Sequence, residues 1–455
     1  MYFCTNNEHM NSISVRDALL INDGELREVN VHIQDGKIWH IDPIGRKRPA
    51  DQVLSLQGAF LMPGAIDDQV HFREPGLTHK GELATESWAA VAGGVTSYME
   101  MPNTKPAAIT IERLEQKYAR AAEVSPANYT FYLGATPDNL EELKSADYSR
   151  ICGVKIFMGS STGDLLVNEA DALDAIFSSV GALIALHCES DPMIAEQLKH
   201  WKEQLGEDGL TPAHHPKIRT REACYASSAQ AVEIARKYGS RIHVLHISTK
   251  EELDLFDADL PLAEKRITAE ACVHHLWFEE GDYPRLGNRI KWNPAIKSSE
   301  DRAALHSALN DGRIDVVATD HAPHTLEEKN QPYLSAPSGG PLVQHSVPMM
   351  FDLVEQGVLT HARLVELMCH NPAVLFRIPD RGYVREGFQA DLAVVRSKPN
   401  AITREGLLYR CGWSPLEGST LGHVVESTLV NGHLVWHNGQ KGRFVAGHRL
   451  RFTKS

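Results

Sequence analysis

Between about residue 61 and residue 320 the chain alternates short apolar, β-branched runs with longer stretches whose apolar positions recur at helical spacing. The short runs, in order, are "LMPGAI" (61–66), "VTSYMEM" (95–101), "TFYLGA" (130–135), "GVKIFM" (153–158), "ALIALH" (182–187), "IHVLHI" (242–247), "RITAEACV" (266–273) and "IDVVATD" (314–320). Among the stretches between them are "ERLEQKYARAAEV", "ASSAQAVEIARKYG" and "SEDRAALHSALNDG", each with an amphipathic period. Such alternation is the mark of βα units around a parallel sheet, and eight runs predict an α/β chain built as a (β/α)8 TIM-type barrel. Outside this region the pattern changes to short strands with tight turns: "REVNVHIQDGKIWHID" turns at Asp35-Gly36, and "STLVNGHLVWHNGQ" turns at Asn431-Gly432 and Asn438-Gly439. Two β-rich ends around one long middle predict a small β-sandwich-like composite domain of residues 1–61 plus 383–455, with the barrel over 62–382.

Composition narrows the partners. A chain of 455 residues is long enough for a barrel and a satellite, and its 59 acidic against 46 basic side chains give a net charge of −13. That balance argues against nucleic acid and against a membrane surface, both of which need basic patches, and leaves a small molecule as the expected partner. The seven cysteines (Cys4, Cys152, Cys188, Cys224, Cys272, Cys369, Cys411) are scattered and form no C-x-x-C pair, the usage of a reducing compartment. No leader or spanning apolar run is apparent, so a cytoplasmic protein is expected. A homodimer is the self-association considered.

In a barrel the functional groups gather where strands end. The runs end on or near His71, Asn103, Lys155, His187, His246 and Asp320. One histidine in an apolar run is more often a satisfied core group than a ligand. Recurrence at strand ends is different, because independent core histidines have no reason to appear there. Together these N and O donors form the inventory of a site for zinc or another divalent transition metal. A lysine ammonium repels a cation, so Lys155 joins such a set only after carboxylation by carbon dioxide, as a bridging carbamate. His71 and Arg73, spaced i and i+2 behind the first run, set a metal donor beside an anion-binding guanidinium. In "VATDHAPHTLEEK" (317–329) Asp320 can bind metal and take a proton from attacking water, while His324 faces the substrate. His214, His215, His274, His275 and Trp277 read as structural or supporting.

The segments "PGAIDDQVHFREPG", "MPNT" (101–104), "GVKIFMG" (153–159), "HCES" (187–190), "HVLHIST" (243–249), "TAEACVHHL" (268–276) and "ATDHAPHTLEEK" (318–329) resemble the dihydroorotase family of the amidohydrolase superfamily, in consistent order from about residue 58 to 395. The resemblance implies a metal-dependent barrel that reversibly hydrolyses the cyclic amide of L-dihydroorotate to N-carbamoyl-L-aspartate, in pyrimidine biosynthesis. It implies one or two Zn2+ held by His71, carboxylated Lys155, His187, His246 and Asp320, with Asp320 as the catalytic acid–base. It implies that Arg73, Asn103 and His324 hold the substrate carboxylate, with Asn293 near the ring, and Lys297 where the family has an arginine.

Gln69 departs from the pattern, standing where the family has a histidine two residues before His71. Three outcomes follow: Gln69 ligates through its oxygen, a single metal sits on Lys155, His187 and His246, or catalysis is lost. Since every other expected group is present, an active enzyme is expected. The competing expectations are another cyclic amidase of allantoinase or hydantoinase type, and an impaired homologue that stabilises a carbamoyltransferase partner.

Overall fold

A computed structural model of the protein describes residues 12–159 and 165–453. Cys4 and the opening segment read for a leader lie outside them. The middle of the chain forms two parallel sheets. Strands β1 (Ala65–Val70), β2 (Val95–Glu100) and β3 (Asn128–Phe131) make the first. Strands β4 (Leu133–Gly134), β5 (Val154–Phe157), β6 (Leu183–His187), β7 (Arg241–Val244), β8 (Ile267–Cys272) and β9 (Val316–Ala318) follow in chain order in the second.

The intervening helices follow from the sequence as read. Ile111–Val124 starts at Thr110, whose hydroxyl accepts the Arg113 N–H, and buries Leu114, Lys117, Tyr118 and Ala121, an i, i+3, i+4, i+7 stripe. Arg221–Tyr238 is capped by Thr220 and stopped by Gly239 at φ +64, a left-handed backbone that glycine adopts at little cost. Ser298 and Asp301 form a capping box for Ser299–Asp311.

A nine-stranded, mostly antiparallel sheet is assembled from both ends of the chain. Its inner strands run Leu392–Ala401, Phe60–Pro63, Ser12–Asn22, Glu25–Gln34, with a separate apolar cluster around Leu20, Val31, Leu61 and Val394. The predicted turns are there: Asp35-Gly36, Asn431-Gly432 and Asn438-Gly439 all have positive φ at both residues, which matches the right-handed twist of the flanking strands.

Two predicted runs are each split. "LMPGAI" is two elements: Phe60–Pro63 pairs in the nine-stranded sheet, and Ala65–Val70 in the parallel one. Gly64 stands between them, where any Cβ would lie 2.2 Å from the Thr96 side chain. "TFYLGA" breaks at Tyr132, so that β3 pairs with β2 and β4 with β5. The strand β1 also runs on through Asp67, Asp68 and Gln69 and stops at Val70. The polar cluster is therefore inside the strand, and His71 and Arg73 are delivered by the loop, with Arg73 at φ +73, rather than by a strand period of two.

At the outer edges of the two sheets, Val70 bridges to His321 and the His71 N–H donates to the His321 carbonyl at 2.7 Å. Among the described residues no helix is long and apolar enough to cross a membrane. Cys152, Cys188, Cys224, Cys272 and Cys369 are free and buried, and Cys411 is half-buried.

Candidate active site

A cavity of about 260 Å3 opens where these strands end, and all ten residues singled out from the sequence line it: Gln69, His71, Arg73, Asn103, Lys155, His187, His246, Asn293, Asp320 and His324. Phe157, Trp292, Ala322 and Pro337, Ser338 and Gly339 complete the wall. Three of the ten, Arg73 (φ +73), His246 (φ +41) and Asp320 (φ +44), have left-handed backbones. Such conformations cost about 1–3 kcal/mol each in non-glycine residues and persist where surrounding structure fixes them, which is typical of active sites.

Hydrogen bonding fixes which ring nitrogens are bare. The His71 Nδ1 donates to Asn103 Oδ1 at 2.7 Å, so Nε2 carries the lone pair, and it faces Asp320 Oδ1 at 3.0 Å. The His187 Nε2 donates to Glu189 Oε2 at 3.0 Å, so its bare Nδ1 faces His246 Nε2 at 2.9 Å. Burial, first of all, holds the His71 and His246 imidazoles below their ordinary value and so favours the neutral rings that metals bind. A bare nitrogen 3.0 Å from a carboxylate oxygen is repulsive unless a proton or a metal cation lies between them. The donor set therefore fits a divalent metal on chemical grounds.

Lys155 fits the same purpose. Its ammonium nitrogen is buried without a hydrogen-bond partner, 4.7 Å from the Phe157 ring centroid, and burial pushes its pKa down to about 7. At neutral pH a good fraction is the free amine, the form that adds to carbon dioxide.

Gln69 turns its amide N–H toward Asp320 Oδ1 at 3.3 Å, while its oxygen lies 3.5 Å from the Cys272 thiol. In this arrangement it orients the carboxylate; its oxygen is not directed to the His71 side.

Arg73 is buried and forms no ion pair with any carboxylate of the described residues. Its Nε donates to the Pro323 carbonyl at 3.0 Å and its Nη2 to His324 Nε2 at 3.1 Å. Burial lowers its pKa to about 10, which leaves it charged at neutral pH. On its other side His324 Nδ1 meets Lys80 Nζ at 3.1 Å, with Glu328 Oε2 at 3.6 Å. A buried guanidinium without a counter-ion on a cavity wall is an anion subsite.

Sequence reasoning missed several participants. Glu189 receives His187 and is clamped by Arg219 at 2.6 Å; burial raises its pKa, but Arg219 and His187 outweigh this and hold it well below the usual carboxylate range. Trp292 stacks on His274 at 4.5 Å between centroids and donates to the Asp320 carbonyl at 3.4 Å. The signal for Glu189 was present in "HCES", a carboxylate two residues after His187. The residues read as supporting do not line the cavity: His215 bonds Tyr333 and Trp292, His214 caps Thr211, His275 bonds Pro294, and Trp277 packs half-buried against the core. Lys297 is also away from the wall, its Nζ donating to the Ala295 carbonyl at 3.1 Å.

Lys329, the final residue of the "ATDHAPHTLEEK" element, donates to the carbonyls of Lys291 (3.2 Å), Pro337 (2.9 Å) and Gly339 (2.7 Å). It thereby pins the 337–339 wall to the segment at Lys291. Lys329→Met leaves those carbonyls without this donor and should lower stability by about 3 kcal/mol and raise KM about tenfold. Urea unfolding and steady-state kinetics test this; an unchanged KM in a folded variant would remove the wall from substrate binding.

Comparison with known proteins agrees with this geometry. Residues 60–435 match the amidohydrolase family. The chain is 33% identical over 456 residues to a dihydroorotase of Methanosarcina mazei, covering 96% of this chain and 98% of that protein. It is 30% identical over 455 residues to an allantoinase of Bacillus velezensis, covering 97% of each. Among solved structures, an L-hydantoinase (dihydropyrimidinase) from Arthrobacter aurescens superposes with a TM-score of 0.91 at 26% identity, covering 96% of this chain and 99% of that one.

Proposed function

The chain belongs to the amidohydrolase family and is a hydrolase of cyclic amides, and from that premise we propose that its substrate is L-dihydroorotate, opened reversibly to N-carbamoyl-L-aspartate. The observation that carries this is Arg73. Dihydroorotate bears a ring carboxylate, whereas allantoin and simple hydantoins present no carboxylate to a buried guanidinium. Arg73 offers its fork, His324 is held beside it, and Asn103, its oxygen taken by His71, keeps its amide N–H groups for the cavity.

We read the parallel sheets as arcs of one eight-stranded barrel. The Val70 to His321 bridge and the division of the third strand at Tyr132 support that closure. The nine-stranded sheet from the two ends is the composite unit beside it.

His71, Asp320, His187, His246 and carboxylated Lys155 would hold one or two zinc ions. When bound, zinc acidifies water to a pKa near ~7 and polarises the amide carbonyl. Asp320 accepts the proton of the attacking water and returns it to the ring nitrogen as the amide C–N bond breaks. Gln69 keeps Asp320 Oδ1 aimed at the cavity, and Glu189 fixes the bare Nδ1 of His187. Arg73 holds the ring so that the amide, rather than the carboxylate, meets these groups. In the biosynthetic direction the same groups act in reverse.

The test is turnover of three substrates by the zinc-loaded protein: dihydroorotate, allantoin and an uncharged 5-alkyl hydantoin. We expect kcat/KM for dihydroorotate to exceed the others by at least about 10²-fold, the worth of a buried charge-assisted pair. Preference for allantoin would overturn the substrate, and no turnover of any of the three would favour a non-catalytic partner.

A further inference from the structure

Beneath the reaction cavity lies a second group of donors that the mechanism above does not use. Asp68 on β1, His243 on β7 and Glu270 on β8 are fully buried, none of them lines the cavity, and their donor atoms lie within 4.8 Å of one another. We propose that these three residues bind a divalent transition-metal ion of their own, one layer deeper than the reaction site.

The protonation pattern leads to this assignment. The Thr268 hydroxyl donates to the Ile242 carbonyl at 3.1 Å, so its oxygen is an acceptor for the His243 Nδ1–H at 2.8 Å. His243 Nε2 is then a bare lone pair. It lies 3.1 Å from Asp68 Oδ2 and 3.8 Å from Glu270 Oε2. Glu270 has its other oxygen taken, by the His246 N–H at 3.1 Å and the Cys272 thiol at 3.1 Å, which leaves Oε2 for the cluster.

None of the facing atoms has a hydrogen-bond partner: Asp68 Oδ1 and Oδ2, Glu270 Oε2 and His243 Nε2 are all without one. Among the described residues no lysine or arginine forms an ion pair with Asp68 or Glu270. Two carboxylates in a fully buried setting without donors or a counter-charge are strongly unfavourable. A proton on His243 Nε2, 3.1 Å from Asp68 Oδ2, balances one carboxylate only and leaves the second uncompensated. A cation does. Donor atoms about 3 Å apart are the edge of a coordination polyhedron with metal–ligand distances of about 2.1 Å. Two carboxylates neutralise a divalent charge, and the imidazole favours zinc over magnesium or calcium.

The site does not depend on the reaction proposed above. Its link to that reaction is mechanical: Glu270 holds the backbone of His246, so a filled deep site stiffens a residue of the cavity wall.

The test is X-ray anomalous diffraction at the zinc edge, with zinc counted per chain, on the full chain loaded with Zn2+ and desalted. We expect an anomalous peak bounded by Asp68, His243 and Glu270 in the wild type, retained in His246→Ala. Asp68→Asn should lose that peak and one zinc per chain while keeping any zinc on the His187 side. Should Asp68→Asn fail to fold, Glu270→Gln and the wild-type map serve in its place. A zinc-loaded wild type with no density among the three residues would overturn the proposal and leave a proton shared between the carboxylates. So would an unchanged zinc count in a folded Asp68→Asn.

Discussion

Asp320→Asn should lower kcat for dihydroorotate by about 10³-fold while leaving KM within a few-fold, because the substitution keeps the shape and removes the proton acceptor. Asp320 sits where three constraints meet: His71 Nε2 at 3.0 Å, the Gln69 amide at 3.3 Å and a left-handed backbone that aims its side chain from the end of β9. No other carboxylate of the described residues lines the cavity, so no neighbour can take over the proton. Single-turnover kinetics with zinc content measured on the same sample separate lost proton transfer from lost metal. A variant that retains its zinc and runs within tenfold of the wild type would mean that Asp320 is not the acid–base.

Arg73→Gln is expected to lower kcat/KM for dihydroorotate by about 10²–10³-fold, mainly through KM, since removing one partner of a buried charge pair costs about 3–4 kcal/mol. The same variant should act on an uncharged hydantoin, if the wild type does so at all, with little further loss. That contrast distinguishes carboxylate recognition from general damage, because Arg73 also supports the Pro323 carbonyl and His324. Thermal unfolding of the variant provides the control. Equal losses on charged and uncharged rings would reject the carboxylate subsite.

The gathering of the candidate residues was more legible than the details of the scaffold. Strand-end histidines, a lysine and an aspartate announce themselves because each is a polar group at the edge of an apolar run, and all ten residues named from the sequence line one cavity. Gln69 was recognised as an anomaly, but the groups its amide meets, Asp320 and Cys272, are 251 and 203 positions away. Lys329 was legible as the last residue of the "ATDHAPHTLEEK" element, but its carbonyl acceptors on Lys291, Pro337 and Gly339 leave no pattern in the chain. The breaks at Gly64 and Tyr132 were invisible for a related reason. Apolar period alone does not say which sheet a strand joins, and Gly64 is required only because Thr96 lies against it. His243 was written within "HVLHIST" and passed over for His246, although its neighbour Thr268 decides its protonation from another strand.

The continuous path from Phe60–Pro63 into β1 ties catalysis to the order of biosynthesis. Pro63 pairs with Leu392 and Leu61 with Val394, so the strand that leads directly to Gln69 and His71 gains one of its two neighbours only after most of the chain has left the ribosome. Until then Phe60–Pro63 is held from one side, by Ser12–Asn22, while β1 beyond Gly64 pairs separately with β2. Pairings of such long sequence separation are slow to close and expose unpaired strand edges meanwhile. Completion of the strand path into the cavity wall is in this sense a late event of synthesis, gated by the arrival of a C-terminal strand that contributes no residue to the cavity itself.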